Sequence, residues 1–121
     1  MKLGVVKEAD GETRVAIVPG SMRKLNKMGF EVLVESGAGT SSHHHDSEYT
    51  ESGATVTDRA TALSADIVIS IGMPELDGMK EGQMVACVSD PFRNPERVKA
   101  AMDAKITLFS MDMIPRRISR A

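Results

Sequence analysis

Three arginines fall within five residues near one end of this 121-residue chain: Arg116, Arg117 and Arg120, just past Pro115 in Met111-Asp-Met-Ile-Pro-Arg-Arg-Ile-Ser-Arg-Ala121. A guanidinium presents a planar fork that takes two oxygens of a carboxylate or phosphate at once. The cluster therefore either meets an anion or a partner, or solvates a frayed end. A further arginine, Arg14, lies in Glu12-Thr-Arg14-Val-Ala16, ahead of Pro19. Held by a short loop at a strand's carboxyl edge, Arg14 can clamp an anion; the alternative pairs it with Glu12 or Glu8 at the surface. His43-His44-His45 brings three imidazoles together. Sequence neighbours point different ways, so at most His43 and His45 share an ion, and an exposed loop is expected instead of a metal site. Cys87, the single cysteine, lies among Val85, Ala86 and Val88 and reads as a buried, inert thiol. Asp90-Pro91 is a cleft carboxylate or, with Asn94-Pro95, turn chemistry, and the turn is preferred. None of these is a convincing general base, so no catalytic residue is assigned.

The elements that must position these groups alternate between β-branched runs and helical patterns, which predicts a parallel α/β sheet. Strands are expected at residues 3–6, 31–35, 67–71, 84–88 and 106–110. A helix entered at Pro19 carries Met22, Leu25 and Met28 on one face and stops at Gly29. Asp46 is expected to cap a short helix carrying Tyr49, and Asp58 another running through Leu63. Asn94-Pro95-Glu96 opens a last helix with Val98, Ala101 and Met102 as its buried stripe. Five strands with helical crossovers make a flavodoxin-like (Rossmann-like), doubly wound sheet, in which ligands sit beyond the strands' carboxyl ends. The segments there are 7–18, 72–77, 89–94 and 112–120. None carries G-x-G-x-x-G or a P-loop lysine motif, and Gly37-Ala38-Gly39 reads as a plain turn. A sheet lacking its phosphate turn suits a partner domain better than the holder of a dinucleotide.

Bulk properties bound the rest. The length suits one domain, and 41% hydrophobic with 26% charged residues is an ordinary globular balance. A net charge of -2 argues against nucleic acid as a partner. One cysteine excludes an internal disulfide and fits a reducing compartment. No run approaches a membrane span, and Met1-Lys2-Leu3-Gly4 opens a strand and not a signal peptide. With no Trp, one Tyr, three Phe and nine Met, the core must be aliphatic and methionine-filled.

Taken together, Lys2-Leu-Gly-Val-Val-Lys-Glu8, Glu12-Thr-Arg-Val-Ala16, Pro19, Gly29-Phe-Glu-Val-Leu-Val-Glu35 and Gly37-Ala-Gly39 resemble the amino-terminal domain shared by alanine dehydrogenase and the α subunit of proton-translocating NAD(P) transhydrogenase. Gly53-Ala54 and Ala65-Asp66 continue the likeness, which covers essentially the whole chain. In alanine dehydrogenases pyruvate is held by the arginine matching Arg14, a lysine after the third strand and a histidine after the fourth. The lysine position corresponds here to Gly72 and the histidine position to Asp90, so a carboxylate substrate loses a cation and meets an anion. The tail resembles the transhydrogenase pattern M-D/E-x-x-P-R-I-S-R-A-Q, whose arginine after the proline contacts NAD(H). Counted from Pro115 the match is Arg116; counted back from Ile118 it is Arg117. The extra residue would rotate a following helix by about 100°.

The resemblance implies one domain, residues 1–121, ahead of an NAD-binding Rossmann domain and truncated before it. The parent enzyme passes a hydride from NADH to NADP⁺ and couples this to proton translocation through membrane partners. Its implied partners are the Rossmann domain, the NADP-binding and membrane components, and a second copy in a homodimer. The implied location is cytoplasmic, peripheral to the inner membrane through partner subunits and without direct insertion. Arg116 or Arg117 would face the nucleotide and Arg14 the opposite rim, with no metal. Alone, the chain is expected neither to bind NAD(H) tightly nor to catalyse. Rival readings are an alanine dehydrogenase fragment, an inactive flavodoxin-like module used for association, and a saccharopine-dehydrogenase-like domain.

Overall fold

The computed structural model describes residues 1–9, 11–76, 79–87 and 95–110 of the chain; Asp90, Asn94, Arg116, Arg117 and Arg120 lie outside them. Six strands pair in parallel: β1 Lys2–Val5, β2 Glu31–Glu35, β3 Thr55–Thr57, β4 Ile67–Ile69, β5 Met84–Cys87 and β6 Thr107–Ser110. Their order across the sheet is β3-β2-β1-β4-β5-β6, the order of a doubly wound Rossmann-like sheet. The expected fold class is present, with one strand more than the five expected. The addition, Thr55-Val-Thr57, extends the sheet outside β2. Three residues with one apolar side chain give almost no periodicity, so only pairing reveals it.

The helices are α1 Met22–Lys27, α2 Asp46–Glu51, α3 Arg59–Leu63 and α4 Pro95–Asp103. Side chains alternate across the sheet, so each face has its own core. On one face Leu3, Val5, Val32 and Val34 pack with Met22 and Tyr49. On the other, Val68, Val85 and Cys87 pack with Ala62 and Ile106. Gly4 faces α3 so closely that a Cβ would lie 2.0 Å from the Ala62 carbonyl oxygen. No other residue fits there.

Local chemistry sets the helix ends. Asp58 caps α3 as expected, its Oδ1 accepting from the Thr61 N–H at 2.8 Å. Asp46 does not cap α2. His45 is the cap residue, its N–H donating to Glu48 Oε2 at 3.0 Å. Asp46 instead reaches back to β2's exit, accepting from Ser36 Oγ at 2.7 Å and the Gly37 N–H at 2.9 Å, which lowers its pKa. Two expected core methionines are outside: Met28 is 63% and Met102 72% exposed. Met28 lies beyond the last residue of the six-residue α1, and in α4 the buried position falls to Ala101. At the far end of α3, Gln83 donates to the Leu63 and Ala65 carbonyls, both at 2.8 Å, satisfying acceptors that a helix end leaves open.

Candidate site at the carboxyl edge of the sheet

The segment following β1 folds over the carboxyl ends of the strands and is tied down at three points. Val15 and Ile17 are buried. The phenol of Tyr49, itself fully buried, donates to the Ile17 carbonyl at 2.7 Å. Ser42 Oγ donates to the Thr13 carbonyl. The tyrosine reaches Ile17 because Gly39 gives way: a Cβ there would sit 2.8 Å from its ring. Thus the Gly37-Ala38-Gly39 turn has a packing role that spacing alone does not show.

These anchors place Arg14 on the rim of a small polar cleft of about 130 Å³, between Lys7, Glu8, Glu12 and Arg14 on one side and Ala38 and Ser41 on the other. Arg14 does pair with Glu12. Nε donates to Oε1 at 2.8 Å and Nη2 to Oε2 at 2.9 Å, while the Arg14 N–H also donates to Oε1 at 2.9 Å. The hydrogen bonds from Arg14 hold the Glu12 carboxyl down at about 2. Glu8 is not Arg14's partner. Its Oε2 accepts from the Ile71 N–H at 2.8 Å and its Oε1 from the Gly72 N–H at 2.9 Å. A side chain at position 72 would point at that carboxylate, with Oε1 3.7 Å from the added Cβ.

Beside the cleft stands a charged cluster that sequence inspection missed. Arg59, in the first turn of α3, forks onto Glu75 through Nε and Nη2, the latter at 2.6 Å. Its Nη1 donates to Glu35 Oε2 at 2.8 Å and to the Lys7 carbonyl at 3.0 Å. Glu35 Oε2 also accepts from the Lys7 N–H at 2.5 Å. One guanidinium thereby joins the exits of β1 and β2 to the segment after β4. Hydrogen bonding to Arg59 lowers Glu75 to about 2, and Arg59 itself is raised. The available signal was positional: Glu35 ends a strand and Arg59 opens a helix, and a parallel sheet gathers both at one edge.

The other sequence candidates are less connected. His43 and His45 are exposed, His43 with a left-handed φ of 64°, and His44 Nδ1 approaches Glu48 Oε2 at 3.4 Å. Among the described residues no group of three His, Cys, Asp or Glu is placed to hold a metal. Cys87 is buried in the sheet's second core. The described residues also do not fit a dinucleotide by themselves. The two successive amides at the exit of β4, which could have received phosphate oxygens, are taken by Glu8.

Residues 4–121 match the family model described as "Alanine dehydrogenase/PNT, N-terminal domain". The chain belongs to that family. An NAD(P) transhydrogenase subunit alpha polypeptide of Rhodospirillum rubrum is 40% identical over 132 residues, covering 100% of this alanine dehydrogenase/PNT domain and 34% of the relative. The crystal structure of transhydrogenase from Sinorhizobium meliloti superposes with a TM-score of 0.91 at 37% identity, over 96% of this chain and 36% of that one. An L-alanine dehydrogenase structure superposes at 0.86 with 28% identity, over 91% of this chain and 32% of that one. The domain thus spans about a third of the length of these relatives. No described helix is long and apolar enough to cross a membrane.

Proposed function

We propose that this domain is part of the NAD(H)-binding component of an NAD(P) transhydrogenase, the enzyme that moves a hydride from NADH to NADP⁺ and couples it to proton translocation. The observation that carries the choice over alanine dehydrogenase is the Glu8–Gly72 contact. Where the resemblance puts a substrate-holding lysine in alanine dehydrogenases, this chain has Gly72, with a carboxylate bound to its amide. A pyruvate carboxylate approaching that edge meets Glu8 and a guanidinium already satisfied by Glu12.

In this reading the dinucleotide is held by a Rossmann domain elsewhere in the polypeptide. The present chain walls the cleft, with Arg14 on one rim and Arg116 or Arg117 toward the nucleotide. The hydride chemistry belongs to the nicotinamides when they are bound; the protein orients them and excludes water. The NADP-binding and membrane components are the implied partners, in a homodimeric assembly on the cytoplasmic side of the inner membrane. Calorimetric titration tests this, with NADH and pyruvate added to the chain with and without a separately supplied Rossmann domain. The expected result is NADH binding only when both parts are present. Tight NADH binding by the chain alone would overturn the wall-of-a-cleft role. Pyruvate binding that is lost in Arg14→Ala would favour alanine dehydrogenase instead.

A further inference from the structure

The two faces of the sheet are not equally covered, and the difference is systematic. In a parallel sheet, paired residues point to the same side. Leu3 pairs Ile67, which pairs Met84, which pairs Thr107; Val5 pairs Ile69, then Ala86, then Phe109. Along these rows burial fades steadily. Leu3 and Val5 are buried and Ile67, Ile69 and Ala86 half-buried, while Met84 is 38% and Phe109 50% exposed. The alternate positions Val68, Val85 and Cys87, on the opposite face, stay buried.

Topology explains the gradient. The connection from β1 to β2 and that from β5 to β6 run in opposite directions across the sheet. Right-handed crossovers therefore place α1 and α4 on opposite faces. Helix α2 joins α1's side, lying against β3, whereas α3 lies against β1 and β2 from the other side. Between β4 and β5 the described residues contain no helix. On the α1 side, then, no described helix lies over β4, β5 and β6.

We propose that the α1-side face of β4, β5 and β6 is a docking surface for one amphipathic helix, supplied by the polypeptide that follows this domain in its longer relatives. Parallel sheets are covered by helices on both faces. Three strands spaced about 4.8 Å apart span about 10 Å, the width of a single helix. The rows carry Ile67, Ile69, Met84, Ala86 and Phe109 but no charged side chain, so the partner presents an apolar stripe to them. The family model names this an N-terminal domain, and the match covers 34% of the Rhodospirillum relative, leaving about two thirds of a polypeptide to provide the helix. The inference rests on family membership and on the sheet, and does not depend on the proposed activity.

The test mixes the 121-residue chain with the portion of the Rhodospirillum rubrum subunit that lies beyond the matched region. Affinity is read by calorimetry, and sedimentation reports the size of the chain alone. The chain alone should be a monomer, and Phe109→Asp and Met84→Lys should each weaken association about tenfold or more. Both sites are exposed, so circular dichroism should show both variants folded; Phe109→Ala is a milder second version. Absence of association, or equal affinity for the variants, overturns the proposal. So does a dimer of the chain alone that Phe109→Asp dissociates, since a second copy is then the occupant. Collapse of Phe109→Asp and of a chain lacking residues 111–121, with equal loss of stability, would assign the surface to the chain's own tail and overturn the proposal too.

Discussion

Tyr49→Phe isolates the bond that holds the Arg14 segment to the fold. The substitution removes one oxygen and leaves the ring, so the packing against Gly39 persists and no cavity opens. What is lost is the 2.7 Å hydrogen bond to the Ile17 carbonyl, in a place where the tyrosine is fully buried. A buried acceptor left without its partner costs about 1–3 kcal/mol. We expect a loss of about 2 kcal/mol, a roughly thirtyfold fall in the ratio of folded to unfolded chain. Urea denaturation followed by circular dichroism should show a lower midpoint with an unchanged slope. The same bond has a pH signature. Burial, with help from Glu48 and Asp46, raises the Tyr49 phenol to about 12 from an ordinary 10.0. The folded state therefore favours the protonated phenol. Its contribution is fully present below pH 10 and disappears as pH rises through 12. Tyr49 is the only tyrosine and there is no tryptophan, so phenolate absorbance reports this group alone. Ionisation near the ordinary value in the folded chain, or a Tyr49→Phe loss below about 0.5 kcal/mol, would refute the anchoring role.

Two further substitutions probe the sheet and its charged edge. Gly4→Ala puts a Cβ 2.0 Å from the Ala62 carbonyl oxygen, and since that atom is backbone, α3 must move. We expect a loss of about 3 kcal/mol on thermal or urea unfolding, and an unchanged midpoint would show that α3 does not sit on β1 in this way. Arg59→Leu leaves Glu35, only 14% exposed, and Glu75 without their shared cation. A loss of about 2 kcal/mol at neutral pH is expected, discounted because Glu75 is half exposed. Glu75 lies at about 2 in the folded chain against 4.5 ordinarily, so its contribution is present above pH 4.5 and lost as pH falls toward 2. The variant's stability should accordingly be flatter on the acid side, and parallel pH profiles for the two proteins would refute the pairing.

Much of the architecture was legible along the chain. Apolar runs at β1, β2, β4, β5 and β6 exceed the requirements of any loop, and Asp58 announces α3 by cap chemistry that needs only three following residues. Gly29 turns with a φ of 94°, where few side chains follow, so it marks the end of the first helical unit. By contrast, β3 has almost no local pattern and exists because β2 offers an unpaired edge. Met28 and Met102 fit a helical stripe, but short helices placed different residues inward. Asp46 looked like a cap; its carboxylate was taken by the β2 exit, a competitor ten residues away in sequence and adjacent in space.

The candidate site divides along the same line. The residue types of Glu12-Thr-Arg14 are enough to predict either a clamp or a local pair, because both need only a guanidinium and a nearby carboxylate. Choosing the pair, and placing it on a cleft beside Glu8, required Tyr49 and Ser42 to hold the segment from over thirty and nearly thirty residues away. The Arg59 cluster and the uneven cover of the sheet depend entirely on strand order. Composition, hydrophobic period and short-range caps act over a few residues and so can be read from the chain itself. Which charged side chains meet, and which face of a strand stays open, depends on crossover direction and on contacts between distant segments, which only the folded arrangement decides.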